Sequence, residues 1–144
     1  MAKVEAVCTS QKKGTVKREQ PSVLFKAAWG IDGDAHGGDW HRQVSLLASE
    51  SIDLVKEALP SLKKGAFAEN IITRGIDLAR LGIGDKLQIG DSVILQITQI
   101  GKECHNSGCA IKKATGDCIM PREGIFSKVI SGGAVAPGDK IVIL

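Results

Sequence analysis

Apolar and polar residues alternate with a period of two along much of the chain. In "KVEAVCTS", Val4, Ala6 and Cys8 alternate with Lys3, Glu5 and Thr9, the pattern of a half-buried strand. "QKKG" then reads as a hairpin loop around Gly14, with "TVKREQ" as the return strand, which Pro21 ends. "SVLFKAAW" predicts a further strand. "QVSLLA" predicts another beyond the long polar loop "GIDGDAHGGDWHR". The clearest hairpin is "DKLQIGDSVILQITQI", which turns at Gly90; Val93, Leu95 and Ile97 point one way, Gln96 and Thr98 the other. The last stretch, "GIFSKVISGGAVAPGDKIVIL", predicts one or two more strands separated by Gly-Gly and Pro-Gly-Asp turns.

Only one segment has a convincing helical period. Ser49 is positioned as an N-cap, Glu50 and Asp53 fall in the first turn, and Ile52, Val55 and Leu59 recur at helical spacing until Pro60. "AENIITRG" predicts a short strand and "DLARLG" a turn. Strands at this spacing, with turn signals between them, predict a mainly β sandwich or barrel with one or two short helices. No repeat, low-complexity tract or linker divides the chain, so residues 1–144 are read as a single domain.

Composition narrows the function classes. Aromatic residues make up 3% of the chain and tyrosine is absent, so the stacking platforms of a single-strand nucleic-acid reader are missing. A formal charge of +3 suits an anionic small ligand or an acidic partner surface better than a DNA backbone. "MAKVEAVCTSQKKGTVK" has no apolar core of signal-peptide length, and no window approaches the ~18 apolar residues of a membrane span. The expectation is a cytoplasmic chain with reduced cysteines and neither a membrane nor a nucleic acid as partner. No G-x-x-x-x-G-K-[ST], G-x-G-x-x-G or G-x-S-x-G motif occurs, which argues against nucleotide-driven and α/β-hydrolase chemistry.

The chemistry concentrates in "QIGKECHNSGCAIKKATGDCIMPREGIF". This stretch holds Cys104, Cys109 and Cys118, three of the four cysteines. Cys104 follows the strongest strand pattern, with Lys102, His105, Lys112 and Lys113 near it in sequence. A thiol of pKa ~8.5 is only ~3% thiolate at neutral pH, and one of pKa ~6.5 is mostly thiolate. That change needs about 2.7 kcal/mol, within reach of one or two cations in a partly enclosed site. Cys104 therefore reads as reactive and Cys8, inside an alternating strand, as a small buried hydrophobe. Cys104, His105, Cys109 and Cys118 also compose a zinc ligand set, but C-x4-C followed by C-x8-C lacks a paired Cys-x-x-Cys knuckle.

The loop "GDAHGGDWHRQVSLL" collects Asp34, His36, Asp39 and His41, with Asp32 just before it. Its spacing matches no metal motif, and such residues are common in solvated loops. Arg42 stands where the loop meets an apolar run, a placement suited to recognising phosphate or carboxylate. In "GAFAENIITRG", Asn70 and Arg74 flank a short strand, and Glu69 is positioned to pair with a base. Each arginine alone reads equally as half of a surface salt bridge.

Taken in order, "GDAHGGDWHRQVSLL", "GAFAENIITRGIDL", "LGIGDKLQIGDSVILQITQIGKECH" and "GDCIMPREGIFSKVISGGAVAPGDKI" resemble the MOSC domain. That domain is found at the C-terminus of molybdenum cofactor sulfurases and in small stand-alone bacterial proteins. The "ECH…C…GDCIMPREGIF" portion is similar to a subgroup that occurs beside, or fused to, molybdopterin-biosynthesis proteins. The resemblance implies a MOSC-like β-barrel and a role in sulfur or molybdenum-cofactor chemistry. It places the family's characteristic cysteine at Cys104.

Under this reading Cys104 accepts sulfane sulfur as a persulfide and passes it to a metal–sulfur cofactor. The donor is a pyridoxal-phosphate-dependent cysteine desulfurase, so pyridoxal phosphate enters only through a partner; molybdenum cofactor biosynthesis proteins are the other expected partners. Arg42, Arg74, Lys102 and Arg122 are candidates for holding an anionic pterin phosphate, with Arg42 and at least one of Arg74 and Arg122 expected near Cys104. Two other readings stand beside it. In one, Cys104 ligates molybdenum in a cofactor-binding module; in the other, Cys109 and Cys118 join Cys104 in a zinc-stabilised structural domain.

Overall fold

The computed structural model describes residues 2–13, 15–101 and 124–144. Lys102, Cys104, His105, Cys109, Cys118 and Arg122 lie outside the described residues, as does Gly14.

The period-two segments form strands. An eight-stranded sheet has the order β11-β7-β8-β9-β5-β6-β1-β2. Its strands are β1 (Lys3–Thr9), β2 (Arg18–Gln20), β5 (Val44–Ala48), β6 (Ile71–Arg74), β7 (Lys86–Ile89), β8 (Val93–Ile100), β9 (Ile125–Ser131) and β11 (Ile141–Ile143). A three-stranded sheet combines β3 (Val23–Lys26), β4 (Gly30–Ile31) and β10 (Gly133–Val135). The large sheet curls until β1 meets the chain just before β11. There an isolated bridge pairs Lys3 with Lys140, and Val4 N–H donates to the Asp139 carbonyl at 2.8 Å. Contact at this one corner makes the sheet barrel-like without closing its ladder.

Both predicted hairpin pairings are present, as β1–β2 and β7–β8, the second turning at Gly90. The C-terminal stretch supplies three strands instead of one or two, because Gly132 lets the chain turn against the Phe25 carbonyl; a Cβ there would lie 2.4 Å from that oxygen. "SVLFKAAW" is shorter than its pattern suggests: β3 ends at Lys26, and Ala28 adopts a positive φ of 57° in the following turn. The helix α1 (Ser49–Ala58) forms where its period predicts. Ser49 is its first helical residue, however, and the N-cap is Ala48, which has no capping side chain. The Ser49 hydroxyl instead accepts a hydrogen bond from Arg74. The β5–α1–β6 unit contains the sheet's one parallel pair among the named strands; every other pairing is antiparallel.

Two apolar clusters hold the fold. Leu46, Ile71, Leu87, Leu95, Ile97 and Ile125 meet in the larger one, inside the curl. Leu47, Ile52, Leu62, Phe67, Ile72 and Phe126 form the other, between the outer face and α1. β1 feeds both. Val4 and Val7 enter the larger cluster and Ala6 and Cys8 the smaller, because an irregularity between Val4 and Ala6 shifts the register and switches faces. Among the described residues, no helix is long and apolar enough to cross a membrane.

Candidate functional site

β8 and β9 are antiparallel neighbours that pair from Ile94–Ser131 to Ile100–Ile125. At their far end Gly101 N–H donates to the Gly124 carbonyl at 2.6 Å. Residues 102–123, with Cys104, thus begin and end at one place on the sheet. The described surroundings of that place define the candidate site.

One side is cationic. Arg42, just before β5, lays its guanidinium 5.2 Å from the centre of the Phe126 ring on β9. It donates its Nε–H to Gln99 Oε1 at 3.1 Å. The same Gln99 oxygen lies 2.9 Å from His41 Nε2, and Gln99 Nε2 donates to the Gly101 carbonyl at 2.8 Å. Thr98 Oγ1 donates to the His41 carbonyl, tying the loop to β8. Stacking and one hydrogen bond fix the orientation of Arg42, and among the described residues its terminal nitrogens have no partner. A fixed planar cation of this kind suits bidentate anion binding.

The 32–43 loop is held in place by a buried charge cluster. Lys17 Nζ donates to Asp34 Oδ1 at 2.7 Å, to Ser10 Oγ at 3.2 Å and to His36 Nδ1 at 2.9 Å. An ammonium has only protons to give, so the His36 Nδ1 lone pair is the acceptor. Asp34 also receives the Ser10 and His36 backbone N–H groups. The Lys17 and Asp34 side chains are wholly buried, and all three lysine protons have acceptors, which makes a buried pair tolerable. Trp40 stacks on His36 at the edge of this cluster, and Lys13 Nζ lies 4.4 Å from the Trp40 ring centre. Asp32 pairs with Lys26 at the surface. Among the described residues, no group of His, Cys, Asp and Glu is arranged to hold a metal.

The other side is an open cavity of about 550 Å³ at the end of the curl, where Ile100 and Ile125 face Ala48, Gly75, Ile76 and Leu78. Its charged lining is acidic, from Glu50 and Asp77, so an anion is better received on the Arg42 side. Arg74 stands near this end but is committed elsewhere. It bonds Glu5 at 2.6 Å, Ser49 at 2.7 Å and Asp53 at 3.0 Å, and those carboxylate partners, Glu5 first, raise its pKa further. Arg42 and Arg74 occupy opposite ends of the parallel β5–β6 pair and are not brought together. Their approach to Cys104 and Arg122 falls on residues outside the description.

Cys8 has the environment expected of a buried hydrophobe. It is fully buried, and burial, then the charges of Glu69 and Glu19, push its thiol up to about 12. Glu69 and Asn70 are internal fasteners. Glu69 accepts the Gly65 and Phe67 N–H groups, and burial pushes its pKa up to about 7. Asn70 joins Cys8 to Ser45, linking β1 and β5. Sequence reasoning did not single out Lys17 or Gln99. Lys17 sat inside a predicted return strand, and Gln99 appeared as an ordinary polar position at a strand end.

Residues 32–142 match the family model of the MOSC domain. A protein of Gibberella moniliformis (strain M3125 / FGSC 7600) named "Reductase" is 27% identical over 139 residues, 89% of this chain and 25% of that protein, so the chain spans about a quarter of that relative. YuaD of Bacillus subtilis superposes with a TM-score of 0.80 at 22% identity, covering 97% of this chain and 93% of its own. YiiM of Geobacillus stearothermophilus gives 0.72 at 16% identity, over 100% of this chain and 75% of that one. These likenesses establish a shared fold.

Proposed function

Given that the chain belongs to the MOSC domain family, we propose that it is a molybdenum-cofactor domain in which the Cys104 thiolate is presented to the cofactor's metal. The supporting observation is Arg42, held against Phe126 and Gln99 where residues 102–123 leave and rejoin the sheet. Its donors fit an anionic phosphate such as that of molybdopterin. When bound, the cofactor supplies the redox chemistry of molybdenum. The chain's own task is to hold and orient it. Arg42 would hold the phosphate, with Lys102 and Arg122 as further candidates, Lys17 and Asp34 keep the 32–43 loop in position, and Cys104 would supply the sulfur ligand. Arg74 is left to join β1, α1 and β6. The relative named "Reductase" favours this reading, with the rest of a redox protein lying outside the quarter that this chain matches.

A second reading rests on Cys109 and Cys118, which share residues 102–123 with Cys104. Neighbouring thiols suit a carrier that accepts a persulfide from a cysteine desulfurase and passes it on. Mass spectrometry and metal analysis of the purified protein separate the two. Molybdenum and pterin that co-purify, and are lost in both Cys104→Ser and Arg42→Ala, support the first. A mass increase of one sulfur atom on Cys104 without pterin supports the second. Stoichiometric zinc overturns both.

A further inference from the structure

β2 ends the eight-stranded sheet, and its outer edge is incompletely used. The register pairs Cys8 of β1 with Glu19 of β2. Cys8 donates its N–H to the Asn70 carbonyl, on the β6 side and away from β2. Residues of an antiparallel pair turn their N–H and C=O groups alternately toward and away from each other. The main chain of Glu19 therefore points outward. Lys17, two residues earlier, faces the same side and donates its N–H to the Gly65 carbonyl at 2.8 Å. Gly65 is essential to this contact: its φ is +89°, and a Cβ would lie 2.0 Å from the Lys17 carbonyl oxygen. Gly65 fills the first outward rung. The Glu19 rung has no backbone partner among the described residues.

A groove of about 770 Å³ runs beside this edge. Arg18, Lys56, Lys63 and Lys64 line it, all exposed, and Glu19 is the one acid among the described lining residues. Lys64 and Glu19 are 3.8 Å apart and about half exposed, a weak surface pair that leaves the groove strongly cationic. Leu59 and Leu62 contribute an apolar floor. We propose that this groove docks an extended acidic segment of a partner protein, which adds as a strand along Glu19 while its carboxylates meet Arg18, Lys56, Lys63 and Lys64. Strand addition gains affinity from the main chain and selectivity from alternate side chains, and both requirements are met here. A second copy of the chain is disfavoured, because two-fold pairing of β2 would bring one cationic rim against another. Nucleic acid is disfavoured because, among the described residues, no aromatic ring lines the groove to stack a base.

The test is fluorescence anisotropy with a labelled peptide of about six residues alternating Glu and Val, the length of a typical strand. Binding is expected to weaken with salt and to loosen at least ~10-fold in Lys63→Glu/Lys64→Glu. Lys56→Glu, with native unfolding behaviour checked for each variant, gives the same reading if the double variant does not fold. N-methylation of the peptide on one alternate set of amides is expected to abolish binding, and on the other set to spare it. The proposal is overturned by no binding, by equal binding of a Lys-Val peptide, or by indifference to both methylation sets. Oligo-dT that binds as tightly as the acidic peptide would also overturn it, showing a general polyanion surface.

Discussion

Glu69 offers the sharpest test of the physical account. Its carboxylate is fully buried and accepts two backbone N–H groups, at 3.1 Å from Gly65 and 3.0 Å from Phe67. Burial nevertheless outweighs these bonds and the nearby Lys17 charge, raising the pKa from 4.5 to about 7. The folded state thus binds the proton more tightly than the unfolded chain does. The contribution is fully present below about pH 4.5 and is lost as pH rises through about 7, for a total of about 3 kcal/mol. Glu69→Gln keeps the shape but cannot ionise. Its amide places a donor against one of the two N–H groups, a penalty that does not vary with pH. Urea unfolding of both proteins should therefore show the wild type losing about 2–3 kcal/mol relative to Glu69→Gln between about pH 5 and about pH 8. A difference independent of pH would refute the reasoning. So would a wild type that gains on the variant as pH rises, which would mean that the two hydrogen bonds outweigh desolvation.

Four further outcomes follow from the same structure. Lys17→Met should destabilise by about 3–5 kcal/mol in urea unfolding, because it leaves the Asp34 carboxylate buried without its cation. Thr73→Val should stabilise by about 1 kcal/mol in thermal unfolding, since the Thr73 hydroxyl is buried with no partner among the described residues. Gly65→Ala should destabilise by at least about 2 kcal/mol, as strain at positive φ adds to the clash with Lys17. Iodoacetamide at neutral pH should label Cys104 well before Cys8, whose thiol is sealed and pushed up to about 12; equal labelling of the two would contradict the assignment.

The extent to which this architecture could be read from sequence follows from how local each determinant is. β8 was legible residue by residue, because Val93, Leu95 and Ile97 are buried and Gln96 and Thr98 only partly so, as strict alternation requires. α1 was legible from its period, but its cap was not: Ser49 is drawn into the helix by Arg74, a residue 25 positions away. β1 misled for a similar reason. Its pattern suggested one buried face, yet both are buried, since α1 covers one and the bulge after Val4 redistributes the side chains between them. Arg42 was recognisable from its place at the edge of an apolar run. Its partners Gln99 and Phe126 were not, because they lie more than fifty residues away and carry no motif. Lys17 was hidden most completely, since burying a lysine depends on Asp34, Ser10 and His36 meeting in space.

The Gly101–Gly124 hydrogen bond closes the β8–β9 ladder immediately before the chain departs toward Cys104. The two ends of residues 102–123 are therefore pinned side by side, one hydrogen bond apart. Because both ends meet at one point of the sheet, the number of residues between these two glycines is not dictated by a distance to be spanned, and the Arg42–Gln99 anchor belongs to the sheet side of that point. A frame pinned in this way sets where an intervening stretch must start and finish, whatever its length.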